Sequence, residues 1–291
     1  MQRAAGLLAV VLTLTIPRPA AAWGFEGHKY IMASAIPLLP AELRPFFLAN
    51  RTFIVEHAID PDLWRTAGWE QESPRHFLDM DAYGMYPFPD LPHAEADAVA
   101  KYGREFVDKN GTLPWRAEEI YKKLVEAFAQ KAPYSRDNIK FFSAVLAHYV
   151  ADAHVPFHAV VNYDGQATAQ WGIHSRFESE LFDRYRTRLI VKPGPLVPVP
   201  SVRELIFADL AESFTLVPPI LAADSSAVTG RDVYDDEYFT AFFSKVRPTL
   251  ERRLADSIRD VASVITAAWI DAGRPAVPVS APKTPRPVRR Q

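Results

Sequence analysis

The sequence predicts an all-α protein, a single multi-helix domain running from Trp23 to about Gly273. Apolar residues recur at spacings of three and four along several stretches, the period of a helix with one buried face. Alternating strand patterns are scarce, and the best of them, Leu189-Ile-Val191, is short. At 291 residues and 48% hydrophobic content, the chain is long enough to bury an ordinary core.

Taken in order, the chain opens with Arg3, an apolar run from Leu7 to Ile16, and small residues at Ala20 to Ala22. This is the pattern of a secretory signal peptide, residues 1–22. The run is about half the roughly 20 residues a membrane span requires. The expectation is a cleaved chain, secreted or periplasmic, with no transmembrane segment in its mature form. Ala94 to Val107 is a helix weakened by Gly103. Trp115 to Lys131 follows Pro114, a favourable first-turn residue, with Ile120, Leu124 and Phe128 along one face. Ser135 is placed to cap a helix through Ile139, Phe142, Val145, Leu146 and Tyr149. His174 to Arg188 reads as another helix. Ser201-Val-Arg-Glu204 has the form of a capping box ahead of Leu205, Ile206 and Leu210. Leu250 through Trp269 is a long amphipathic helix that stops at Gly273. Tyr83 to Pro92 and Lys192 to Pro200 are loops. Residues 274–291, rich in proline and basic, form a disordered tail.

The formal charge is −2; without Arg3 and Arg18 it is −4, and without the five basic tail residues the body stands near −9. Such a surface repels nucleic acid unless bound cations reverse the local field. With no cysteine, disulfides are excluded and any zinc is held by nitrogen and oxygen ligands.

The residues that carry chemistry crowd into Leu146-Ala-His148-Tyr-Val-Ala-Asp152-Ala-His154-Val-Pro-Phe-His158 and Gly172-Ile-His174-Ser-Arg-Phe-Glu178. His148 and Asp152 are four apart, as are His174 and Glu178, so on a helix each pair shares a face. Pro156 ends the first helix near Val155 and leaves His158 just beyond it. Burying these carboxylates among apolar side chains is unfavourable unless something compensates them, and a metal does. His154 is either a structural histidine or a supporting one. Two further segments offer donors, Asp60-Pro-Asp62 with Arg65, and Arg75-His76-Phe77. The mature chain would begin Trp23-Gly-Phe-Glu-Gly27-His28. A free α-amino group chelates metal together with its own carbonyl oxygen once its proton is displaced.

With these residues in place the chain resembles the zinc-dependent phospholipase C / S1-P1 nuclease superfamily over about Trp23 to Glu178. The resemblance rests on an amino-terminal Trp with a His soon after, an Asp and a His upstream, His-x3-Asp-x5-His, and a final His-x3-acid. It implies an all-α fold with a trinuclear zinc site, three Zn2+ ions in all. By it, Asp62, His76, His148 and Asp152 hold one zinc. Trp23, through its amino and carbonyl groups, and His28 hold a second, with Asp152 bridging both. His158, His174 and Glu178 hold the third. Asp62 is preferred to Asp60 because its fourteen-residue distance to His76 suits the family better.

The implied activity is hydrolysis of a phosphodiester by zinc-activated water, with Asp62 orienting that water. The substrate is a phospholipid head group or single-stranded nucleic acid; no protein partner is implied. Glu178 in place of Asp, and the segment His174-Ser-Arg-Phe-Glu178, resemble the phospholipase branch. The short gap from Trp23 to His28 resembles the nuclease branch, which also stacks bases on aromatics such as Phe77, Tyr83, Tyr86, Phe88 or Trp171. The expectation is a phospholipase C-like phosphodiesterase, with an S1/P1-type nuclease or 3′-nucleotidase as the alternative. A secreted zinc-binding protein without turnover is the third possibility.

Overall fold

The computed structural model describes residues 23–130 and 134–279, and every regular element among them is helical. The expected signal peptide, 1–22, and the tail beyond 279 lie outside the described residues. The helices are α1 (Gly24–Ala35), α2 (Arg44–Ala49), α3 (Arg51–Glu56), α4 (Asp60–Thr66), α5 (Glu95–Tyr102) and α6 (Arg104–Lys109). They continue with α7 (Leu113–Ala129), α8 (Ser135–Asp152), α9 (Ile173–Ser175), α10 (Leu181–Tyr185), α11 (Val202–Val228) and α12 (Asp236–Asp271). A π-turn, Arg176–Glu180, joins α9 to α10.

The all-α expectation holds, and the burial pattern explains the layout. On α7, Ile120, Leu124 and Phe128 are buried on one face, and that face packs on α8. Every residue of α8 from Ser143 to Asp152 is buried. A helix enclosed on all sides belongs at the centre of a bundle, and α8 is flanked by α1, α3, α7 and α12. The 36-residue α12 also touches α1, α7 and α11, so α12 shares the core with α1.

Several sequence expectations need correction. Gly103 divides the stretch from Ala94 to Val107 into α5 and α6, because it adopts φ 87°, where L-residues are strained. Ser135 is the first residue of α8 rather than its cap; Tyr134 precedes the helix, and among the described residues no side chain bonds there. Ser201 does cap α11, its Oγ accepting the Glu204 N–H at 3.3 Å. α11 then runs on through Pro218 and Pro219, both exposed, while Val217 and Ile220 bury the opposite face. α12 begins well before Leu250, with Asp235 accepting the Tyr238 N–H at 2.8 Å. Leu189-Ile-Val191 pairs with no strand among the described residues.

α11 is long and apolar enough to cross a membrane by length and composition alone. Its buried Asp209, Ser213 and Asp224 each meet polar groups of other elements, as in a helix packed within a bundle.

Candidate metal centre

The site is assembled around the carboxyl end of α8. His148 Nδ1 lies 2.8 Å from the Ala58 carbonyl. That oxygen only accepts, so Nδ1 carries the proton and Nε2 presents its lone pair. Nε2 faces His76 Nδ1 at 3.1 Å and Asp152 Oδ2 at 3.4 Å. His76 Nδ1 is also 3.1 Å from Asp152 Oδ2 and 3.9 Å from Asp62 Oδ1. Asp62, in the first turn of α4, is buried and bonded to Arg65 at 2.8 Å. Asp60, two residues earlier, turns away and pairs with His57 at 2.7 Å.

The other oxygen of Asp152 faces a different set. Oδ1 is 3.4 Å from His28 Nε2 and 3.9 Å from His158 Nδ1. His28, one turn into α1, stacks on His148 with ring centroids 3.9 Å apart. Trp23 precedes it, fully buried, its indole N–H donating to the Ala151 carbonyl at 2.8 Å. Its backbone N–H donates to Glu178 Oε2 at 3.2 Å. Gly27 allows this packing, since a Cβ there would stand 3.1 Å from Trp23 Cβ. On the far side, His174 Nε2 is 3.0 Å and His158 Nε2 3.9 Å from Glu178 Oε2. The π-turn contains Glu178, with His174 on the α9 turn before it.

Eight side chains expected from the sequence therefore converge, with the backbone nitrogen of Trp23 beside them. They form three buried donor groups: His28, His148 and Asp152; Asp62, His76 and His148; and His158, His174 and Glu178. Within each, one donor atom per residue lies within 4.8 Å of the others. His154 stands apart and meets Asp209 and Asp260 instead, as a fourth such group.

The electrostatics fit a bound cation. Burial pushes the Asp152 carboxyl up to about 7 against the opposing pull of His76, with Asp62 and Glu178 adding to the rise. Burial likewise raises Asp62 against Arg65, and Glu178 against His174. His148 and His158 are pushed well below the usual histidine range, first by burial and then by neighbouring histidines. His148 and His158 are thus held in the neutral form that ligates metal, and a nearby cation would favour the ionised carboxylates. Among the described residues, Asp62 Oδ2, Asp152 Oδ1 and Glu178 Oε1 are buried without a hydrogen bond. Such acceptors are costly unless a cation engages them.

A cleft of about 520 Å³ opens beside these groups, lined by His76, His158 and His174 together with Arg65, Lys109, Phe77 and Tyr163. Asp79 also lines it, its carboxyl raised to about 7 by burial and then by Asp81. Sequence reasoning missed Glu72, a buried carboxylate behind His76 that accepts from Tyr149 and pairs with Arg75 at 2.8 Å. Its four-residue spacing from His76 was the available signal. Asp209 and Asp260 were also missed, and nothing local in the sequence links them to His154.

A helical bundle with buried, converging histidines and carboxylates defines a metal-dependent protein of the all-α class. More particularly, the chain belongs to the zinc-dependent phospholipase C family, whose model matches residues 27–210. It is accordingly a zinc-dependent hydrolase acting on phosphoric ester bonds. No curated protein matches the chain.

Proposed function

We propose that the chain is a secreted phospholipase C-like phosphodiesterase with three zinc ions at the converging groups. Asp62, His76, His148 and Asp152 hold one ion; His28, Asp152 and the freed amino end of Trp23 hold another; His158, His174 and Glu178 hold the third. One observation carries this reading: the two oxygens of Asp152 face separate histidine sets, Oδ2 toward His76 and His148, Oδ1 toward His28. That is the disposition of a bridging carboxylate. Zinc bound there supplies Lewis acidity and lowers the pKa of water toward neutrality.

The chain's own residues do the rest. Arg65 and Lys109 line the cleft and draw in the anionic diester. Asp62, bonded to Arg65 through Oδ1, has Oδ2 available to accept a hydrogen bond from the attacking water. Attack in line with the leaving oxygen forms one P–O bond as the other breaks. Cleavage after residue 22 would free the Trp23 nitrogen, 3.2 Å from Glu178.

A second reading, an S1/P1-type nuclease or 3′-nucleotidase, draws on Phe77 and Asp79, which line the cleft next to His76. An aromatic face and a carboxyl together suit a stacked base. Turnover of the zinc-loaded mature protein on phosphatidylcholine, single-stranded DNA, RNA and a 3′-nucleotide separates the two. Phosphocholine release with inert nucleic acids supports the phospholipase. The reverse pattern establishes the nuclease. Bound zinc with no turnover on any of them, nor on bis-p-nitrophenyl phosphate, identifies a zinc-binding protein without activity.

A further inference from the structure

The turn from Asp152 to His158 is held from behind by residues that no metal-binding pattern requires. Its carbonyls at Ala153 and His154 follow the last turn of α8, where the helix offers no N–H partners. Arg253 of α12, fully buried, supplies them. Its Nε donates to the His154 carbonyl at 3.1 Å, and its Nη2 reaches the Ala153 carbonyl at 3.4 Å and Ser213 Oγ at 2.7 Å. Ser213 in turn donates to the Ala153 carbonyl at 2.7 Å. The remaining Arg253 contacts go to α11, with Nη2 to the Asp209 carbonyl at 3.1 Å and Nη1 to Glu212 at 2.7 Å.

The side chain of the same turn faces two aspartates. His154 Nε2 lies 3.4 Å from Asp209 Oδ2 on α11 and 3.3 Å from Asp260 Oδ2 on α12. Asp260 is oriented by the guanidinium fork of Arg259, at 2.8 and 2.7 Å. Two helices therefore grip one short turn by backbone and side chain together.

We propose that Arg253, Ser213 and His154 with its two aspartates are positioning residues that set His158 for metal before metal arrives. This rests on the zinc-site reading above. Asp152 is the last residue of α8, so the helix itself fixes it beside His148. His158 lies past the turn, and its place relative to α8 depends on the turn's shape. The clamp therefore governs the His158–His174–Glu178 group, while the two groups containing His148 are anchored by α8. A lysine at 253 cannot replace the arginine: its single nitrogen cannot serve both carbonyls, Ser213 and Glu212 from one position.

The test is stepwise binding of Zn2+ alone, read by competition with a chromophoric chelator, alongside melting of the metal-free proteins. Arg253→Lys is the main variant. Ser213→Ala, which removes one hydroxyl, serves if Arg253→Lys does not fold. His158→Ala identifies the step in question. The expected result is that both clamp variants weaken that one step about 10- to 100-fold and leave the other steps unchanged. Unchanged binding throughout overturns the proposal. So does a uniform weakening that follows a lowered melting temperature, since general loosening explains it. An Asp260→Asn protein that loses an ion other than the His158 one also overturns it, because His154, Asp209 and Asp260 are then ligands themselves. Wild-type protein that takes up no zinc removes the site reading and the clamp with it, whereas normal wild-type binding with unaffected variants removes the clamp alone.

Discussion

Asp79 shows what a single buried carboxyl does to stability. Its backbone N–H bonds the Asn110 carbonyl at 2.8 Å, but its side-chain Oδ1 has no partner. Burial, then the charge of Asp81, raises its folded value to about 7 from 3.8. Because the folded value lies above the unfolded one, the stabilisation is complete below pH 4 and is lost as pH rises to about 7. Asp79→Asn should therefore match wild type near pH 4 and exceed it at pH 8, by up to about 4 kcal/mol; melting curves across that range check it. Asp62→Asn should weaken zinc binding and, once loaded with zinc, lower kcat about a hundred-fold or more with KM little altered; unreduced turnover in the zinc-loaded variant rules out a role in orienting water. At this scale the sequence was informative wherever spacing carries meaning. His148, Asp152, His174 and Glu178 announce themselves because a four-residue interval puts them on one face. The partners of His154 do not, since Asp209 and Asp260 lie 55 and 106 residues further on, in helices where an aspartate carries no signal of its own.

Among the elements, α1 joins packing and chemistry most directly. Its first residues put the Trp23 indole against Ala151, next to Asp152, and the Trp23 nitrogen against Glu178. A protein with one extra residue before Trp23 should keep its helical content but bind one zinc fewer than the mature chain, measurable by elemental analysis. Equal zinc in the two proteins excludes the Trp23 nitrogen as a ligand. The helices best foreseen were α7, with its one-faced apolar period and a proline in its first turn, and the body of α8, with its dense apolar run. Those misjudged were decided by packing. α11 continues through two prolines because Val217 and Ile220 bury its other side, and the amino-terminal half of α12 is held by buried Tyr238, Phe239, Phe242 and Phe243. Leu189-Ile-Val191 has the composition of a strand without a neighbour to pair with, and composition alone does not make a sheet.

For the molecule as a whole, the burial of carboxylates and histidines at the centre ties stability to metal. Without metal, burial raises the Asp62, Asp152 and Glu178 carboxyls above their ordinary values. Against the opposite contribution of the lowered His148 and His158, the carboxylates' share of the metal-free stability is therefore lost as pH rises from about 4 toward about 7, the value burial gives Asp152. Zinc reverses that sign by stabilising the ionised carboxylates and neutral imidazoles. Free zinc at a thousand times its dissociation constant adds about 4 kcal/mol per site, so chelation should lower the melting temperature by about 10 °C or more. The drop should be larger at pH 8 than at pH 5, which paired calorimetric scans with and without chelator would show. The place of α12 has a further consequence, in time rather than space. All eight side-chain donors precede residue 179, yet α12, which packs on α1, α7, α8 and α11, begins at residue 236. A growing chain therefore exposes every histidine and carboxylate of the centre long before it has made the helix that encloses them. Completion of this fold waits on the synthesis of α12, and a chain halted before residue 236 would carry all the donors without the helix that closes over them.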